Sequence, residues 1–312
     1  MTKASQPLVS ILIPCYNSGE WVGQAIRSAV GQTYARTETI VVDDGSTDGS
    51  LEAIKSFGDE IRWESGPNRG ANAARNRLLE LSRGEWLQFL DADDYLLPQK
   101  IEAQMAVAER VPCDLVVSPC DTDEGWISAT TIRVPWIDLM DWRLGNTISN
   151  LWRKEAILAA GGWTPSQPSG QDYDLMFRML KTGARVAYCP AALAFARAVN
   201  PESIHRRAPL LARRRRDQLV AEAAEFLLAT GQMPCEVREE AGMRVLCIAE
   251  RLCSHGSSAW RELERLANRI DPDISTALCR STRVYGRVYS LLGLRAALWC
   301  RQVSRTLKRV IC

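Results

Sequence analysis

Histidine is almost absent from this chain of 312 residues, which has only His205 and His255. The 10 cysteines contain no C-x-x-C pair, and Cys113 and Cys120 stand too far apart for a zinc knuckle. Both scarcities argue against a structural zinc site. No run of 18 apolar residues occurs, which argues against a spanning helix. Met1–Pro7 is short and polar, and the apolar stretch Leu8–Ile13 has only the length of a strand, so no secretory signal is read there. These absences point to a reduced, cytoplasmic protein with its thiols in cores.

Acidic residues are missing from one long stretch. Ile274–Cys312 has none, against eight basic residues: Arg280, Arg283, Arg287, Arg295, Arg301, Arg305, Lys308 and Arg309. The net charge of +2 therefore hides a split. Residues 1–205 carry 19 Lys+Arg and 26 Asp+Glu, a net of −7, whereas residues 206–312 carry 20 and 11, a net of +9. A basic half suits an anionic partner, such as a membrane surface or a polyphosphate carrier. Tyr285, Val288, Leu292, Ala296, Trp299, Val303 and Val310 recur near helical spacing. Two readings fit that pattern: a basic amphipathic helix lying in a membrane interface, or a helix packed on the rest of the protein with a solvated basic face.

What is present is ordinary for a globular protein, with 46% hydrophobic and 24% charged residues. The length exceeds one ordinary core, so two regions are expected, 1–205 and 206–312. In the first region strands and helices alternate. Apolar runs predict strands at Leu8–Ile13 (stopped by Pro14), Thr39–Val42, Ile61–Trp63, Trp86–Leu90, Asp114–Ser118 and Arg185–Tyr188. Helical patterns separate them: one opened by Ser18 and Glu20 and running to about Val30, a short one from about Ser50 to Phe57, and others at Ala71–Leu81, Gln99–Arg110, Lys154–Ala160 and Asp172–Leu180. The alternation predicts an α/β fold with a mostly parallel sheet between helices, followed by a helical C-terminal extension. Asp121–Ser169, rich in Trp, Pro and Gly, reads mainly as excursion loops.

Phe89-Leu90-Asp91-Ala92-Asp93-Asp94 is the most informative segment. It packs three carboxylates into four positions at the end of an apolar run. In open α/β sheets the carboxyl ends of strands are where ligands bind. Clustered carboxylates raise one another's pKa unless a cation neutralises them. Mn²⁺ or Mg²⁺ is the natural neutraliser, commonly shared with substrate phosphates. A solvated turn capping the next helix would use the same residues. Pro14-Cys15-Tyr16-Asn17 ends the first strand, and Asp43-Asp44-Gly45-Ser46-Thr47-Asp48 ends the second. Adjacent parallel strands would gather these ends into one crevice suited to a base, a ribose and a metal-bound diphosphate.

Taken together, Val9–Asn17, Ile40–Asp48, Asn68–Asn76, Gly84–Asp94 and Gly170–Leu175 resemble, in order and spacing, the family 2 glycosyltransferases of the GT-A fold. The resemblance covers roughly residues 8 to 205. It implies an inverting, metal-dependent hexosyl transfer from a nucleotide-diphosphate sugar, favouring a UDP-sugar, to a sugar or lipid-linked acceptor in cell-surface polysaccharide or glycolipid synthesis. It implies no nucleic-acid partner. Under it, Asp43 accepts a hydrogen bond from the nucleotide base, Tyr16 packs on that base, and the Pro14–Tyr16 backbone lies nearby. Asn68, Gly70 and Arg75 line the nucleotide side, and Asn17, Asp44 and Ala92 complete the donor-binding set. Asp93 is the main metal contact, with Asp91 closer to the ribose and donor sugar but sharing the metal. Asp94 caps the following helix or joins the metal site. Asp172 is the general base. Each residue also has a plain structural use: a turn for Asp43-Asp44-Gly45, a surface ion pair for Arg75, an N-cap for Asp172.

The chain departs from the family pattern in two places. Gln171 stands where the family usually has Glu, and Asn200 stands where many members have His before a Pro-x-Ser segment, here Pro201-Glu202-Ser203. His205 lies five residues beyond Asn200. Two other readings stay open: a non-catalytic glycan-binding or scaffolding member of the same fold, and a sugar-nucleotide pyrophosphorylase. The latter normally needs a Gly-rich basic loop, which Pro14–Asn17 does not provide. The expected location is the cytoplasm, with peripheral contact at the inner face of the membrane through the basic C-terminal region.

Overall fold

A computed structural model describes residues 6–123, 125, 134–197, 209–274, 294 and 297. The chain divides into two compact units, Met1–Ala212 and Arg213–Cys312. In the first, the leading apolar run forms β1 (Val9–Cys15), whose Val9, Ile11, Leu12 and Ile13 are fully buried. A strand covered on both faces needs such a continuous run. β1 pairs in parallel with β2 (Thr37–Asp43) on one side and β4 (Trp86–Phe89) on the other. β3 (Arg62–Ser65) extends the sheet beyond β2, also in parallel. Pro14 does not stop β1 as expected: Pro14 stays in register with Val42, and Cys15 with Asp43.

Helices cover this sheet: α1 (Val22–Val30), α2 (Ser50–Lys55), α3 (Ala71–Leu81) and α4 (Lys100–Ala108). In chain order the next strands are β5 (Tyr95–Leu96), β6 (Leu115–Val117) and β7 (Asp121–Thr122). The stretch expected to be loops holds two further elements. One is α5 (Pro135–Met140), begun by a proline at its first turn, where the missing N–H has no intrahelical acceptor. The other is β8 (Leu151–Arg153), inserted antiparallel between β4 and β6 in the main sheet. The rest of the unit is α6 (Lys154–Ala159), α7 (Gln171–Lys181), β9 (Val186–Tyr188) and β10 (Ala194–Ala196). The main sheet thus has seven strands in the order β3-β2-β1-β4-β8-β6-β9, parallel except at β8. A small sheet, β5-β10-β7, stands beside the segment that carries the clustered acids.

Behind those acids the core is aromatic. Phe89 meets Trp163 edge-on at 5.1 Å and Trp152 at 6.5 Å between ring centres. Truncating one such ring to Ala would cost about 3–5 kcal/mol, so the end of β4 rests on a stiff base. In the second unit, helices Arg238–Ser254 and Trp260–Ile270 pack together. A Cβ at Gly242 would lie 3.2 Å from Asp271 and Ile274, which explains the residue with no side chain there.

Among the described residues the Cys15, Cys113, Cys120 and Cys189 thiols are buried, whereas Cys235 and Cys247 are exposed rather than in a core. Among the described residues no helix is long and apolar enough to cross a membrane. The basic segment Ile274–Cys312, except for Ile274, Leu294 and Ala297, lies outside the described residues, as do Asn200, Pro201–Ser203 and His205.

Candidate active site

Parallel pairing delivers the polar clusters to one place. β1 and β2 end together, and the chain leaving β4 stays attached to β1 through the Leu90 N–H donating to Leu12 O at 2.9 Å. The cleft formed there has a volume of about 640 Å³. Pro14, Tyr16, Asn17, Asp44, Asn68, Gly70, Arg75, Asp91, Ala92, Asp93 and Asp172 all line it. Asp43 does not. It is 1% exposed, and its carboxylate accepts from the Ser65 hydroxyl at 2.6 Å and the Ser46 N–H at 3.2 Å.

Its neighbour Asp44 takes the place in the cleft, accepting the N–H groups of Arg69 and Gly70, each at 2.8 Å. That bidentate acceptance fixes the turn into α3. Gly45 has φ +78°, and a Cβ on it would meet Asn68 N at 2.7 Å, so only glycine fits between the two turns. Asn17 has φ +47°, a left-handed conformation that Asn tolerates. Its side chain accepts from Thr47 N–H at 2.8 Å and its own N–H donates to Ser46 at 3.0 Å, tying the loop after β1 to the loop after β2. Tyr16 stands out half-exposed with its ring available to a ligand. Burial pushes the Cys15 thiol up to about 12, so it stays protonated and inert.

The acidic turn is tightly held. Asp94 N–H donates to Asp91 O at 3.0 Å, and the Asp94 carboxylate accepts the Arg197 N–H at 2.8 Å. The Arg197 guanidinium donates to Asp93 O and to Gln24 Oε1 and lies over the Trp21 ring at 4.5 Å. Burial first, then the charges of Asp93 and Asp91, push Asp94 well above the usual carboxylate range, with Arg197 opposing. Asp91, Asp93 and Asp94 crowd carboxyl oxygens into one turn at the cleft, a donor type that suits a hard divalent cation. Among the described residues no three His, Cys, Asp or Glu side chains converge on one point. A Mg²⁺ or Mn²⁺ ion held by one or two carboxylates, with phosphate and water as the remaining ligands, needs no such cage.

Asp172 lies in the first turn of α7, after Gly170 at φ +61°. Its Oδ1 accepts the Tyr173 N–H at 3.0 Å. Arg75 does not form the surface ion pair considered above. It is buried, donating from Nη2 to Asp91 Oδ1 at 2.7 Å and from Nη1 to Gln171 Oε1 at 2.6 Å.

Residues that motif reading did not single out also line the cleft: Trp21, Asn146, Thr147, Ser169 and Arg197. Arg197 has no local signal. It is a single cation after a short strand, brought to the acids by the pairing of β10 with β5.

Comparison with known proteins agrees with this geometry. Residues 10–147 match the sequence profile of Glycosyl transferase family 2. An uncharacterized glycosyltransferase of Escherichia coli (strain K12), YibD, is 33% identical over 157 residues, 46% of this chain and 45% of that protein. Chondroitin synthase of Pasteurella multocida (strain Pm70) is 40% identical over 99 residues, 31% of this chain and 10% of that protein. The matched part is thus less than half the length of these relatives. Among solved structures, S. aureus TarS 1–349 in complex with UDP-GlcNAc aligns at TM-score 0.56 and 14% identity, covering 96% of this chain and 92% of that one. The mannosyltransferase PcManGT from Pyrobaculum calidifontis, in complex with GDP-Man and Mn²⁺, aligns at 0.53 and 18%, covering 96% and 87%. Residues 10–147 are thus similar to glycosyl transferase family 2, and the sheet that carries them has the GT-A fold.

Proposed function

We propose that the chain is an inverting, metal-dependent hexosyltransferase that moves a sugar from a nucleotide-diphosphate sugar, with UDP favoured, to an acceptor hydroxyl in polysaccharide or glycolipid synthesis. One observation carries this reading: Asp172, the Asp91–Asp93 pair and the Tyr16–Asp44 side share a single cleft. The Asp172 carboxylate takes the proton of the acceptor hydroxyl as its oxygen bonds to the anomeric carbon. The bond from that carbon to the diphosphate breaks, and the nucleoside diphosphate leaves with the electron pair. A single displacement inverts the anomeric configuration. Asp93, with Asp91, would hold Mn²⁺ or Mg²⁺, which when bound offsets charge on the leaving diphosphate. Tyr16 and Asp44 would face the nucleoside, a reading supported by the similar structures that hold UDP-GlcNAc, UDP and GDP-Man.

A thermal-shift screen of UDP-, GDP- and dTDP-sugars with and without Mn²⁺ tests the donor class. Stabilisation should require both the metal and one nucleotide. Acceptor-dependent release of nucleoside diphosphate then identifies a transferase. Pyrophosphate formation would instead mark a pyrophosphorylase, and neither product would mark a binding or scaffolding protein.

We place the protein in the cytoplasm at the inner face of the membrane, a reading supported by the net charge of +9 over residues 206–312. The full chain should co-sediment with anionic liposomes and lose much of that binding when 274–312 is deleted. No binding at low salt would refute it.

A further inference from the structure

Arg75 of α3 reads, by motif, as part of the donor site, yet the bonds of the helix's polar face run elsewhere. Asn72 Nδ2 donates to Thr164 O at 2.7 Å and to Gln167 O at 3.2 Å. Asn76 brackets Trp163, donating to its carbonyl at 2.8 Å and accepting its N–H at 2.9 Å. These partners belong to the loop that leads into α7 and so to Asp172. Arg75 lies on the same helix, with its guanidinium over the Trp163 ring at 4.9 Å. Its two terminal nitrogens separate: Nη2 goes to Asp91 and Nη1 to Gln171, with a weaker bond to Asn72 Oδ1 at 3.2 Å. Arg75 thus spans from the end of β4 to the first residue of α7.

Gln171 suits this junction in a way Glu would not. Its Oε1 accepts from Arg75, while its Nε2 donates to Gln167 O at 3.2 Å. Glu would keep the acceptor but lose the donor. It would set a carboxylate against the Gln167 carbonyl, add a charge beside Asp172, and compete with Asp91 for one guanidinium. With Gln, the single positive charge of Arg75 stays matched by the single negative charge of Asp91.

We propose that Arg75 and Gln171 are a positioning pair that fixes the Asp172 end of α7 against the Asp91 end of β4, so that Arg75 serves turnover rather than donor binding. Its catalytic consequence rests on the transferase reading above, but its structural part does not. Lysine cannot replace the fork of arginine, since a point charge cannot hold two partners at fixed angles.

The test uses the full chain with Arg75→Lys, Gln171→Leu and the double variant. Without substrate, amide hydrogen exchange over 164–174 should rise about tenfold in each single variant, as local opening becomes easier. With donor and acceptor, kcat should fall about 10- to 100-fold, the usual effect of misplacing a catalytic group by an ångström. Donor KM should stay within about threefold, as expected when uniform binding is untouched. The double variant should be little worse than Arg75→Lys alone, because the two residues act as one unit. Unchanged exchange over 164–174 in Gln171→Leu would overturn the proposal. So would a raised donor KM at constant kcat in Arg75→Lys, which would return Arg75 to the donor side. If the parent protein releases no nucleoside diphosphate while the exchange changes appear, the transferase reading fails and the junction stands.

Discussion

Asp172→Asn should abolish sugar transfer while leaving the fold and donor binding nearly unchanged. The substitution keeps size and shape and retains an acceptor oxygen for the Tyr173 N–H, which Asp172 now accepts at 3.0 Å. As an acid in the first turn of α7, Asp172 also complements the helix dipole. Losing that charge costs about 0.3–1 kcal/mol at most exposed sites, too little to unfold the unit. What the amide cannot do is take a proton from the acceptor hydroxyl. General-base removal lowers rates by about 10²–10⁴-fold, so turnover should fall at least that far. Release of nucleoside diphosphate measures the loss, and calorimetric titration with the nucleotide measures binding. Full turnover in the variant would reduce Asp172 to a first-turn acid that complements the dipole of α7, whose N-cap is Gly170. Loss of turnover together with loss of nucleotide binding would indicate a collapsed cleft, not a missing base.

How much of this arrangement the sequence discloses depends on the range of the interaction that sets it. β1, β4 and α3 are legible because a strand buried on both faces needs an unbroken apolar run, and an eleven-residue helix shows its period. β8 is not legible. Three residues, Leu151–Arg153, carry no period, and their place between β4 and β6 comes from pairing partners far along the chain. The Asp43–Asp44 pair shows a similar limit. The dipeptide marks the strand end, but only the packing of β3 decides that Asp43 turns to Ser65 and Asp44 to the cleft. Arg75 is the clearest case: its helix is evident from local sequence, yet its partners lie 16 and 96 residues away. Motif spacing finds the residues of such a site, and tertiary bonds decide which of them meet the ligand and which hold the others in place.

The acidic turn supplies the second large effect. Asp93→Ala should erase the stabilisation that Mn²⁺ and the donor confer together, and with it sugar transfer. The turn crowds the carboxyls of Asp91, Asp93 and the buried Asp94 together, an excess of carboxyls that, after burial itself, pushes Asp94 well above the usual carboxylate range. A divalent cation binding there relieves that excess, and ligands that bind only the folded state stabilise it by about 2.7 kcal/mol at a hundredfold excess over Kd. For a unit of this size, that corresponds to a rise of about 5–10 °C in the unfolding midpoint. Asp94→Asn is the discriminating partner experiment. The Asp94 carboxylate is already engaged by the Arg197 N–H at 2.8 Å, and asparagine keeps an acceptor for it. If Asp94 is a structural tie rather than a ligand, its amide variant should keep most of the Mn²⁺-dependent shift that Asp93→Ala loses. Equal loss in both variants would make the whole turn the metal site, and an undiminished Mn²⁺ shift in Asp93→Ala would remove the metal from this turn altogether.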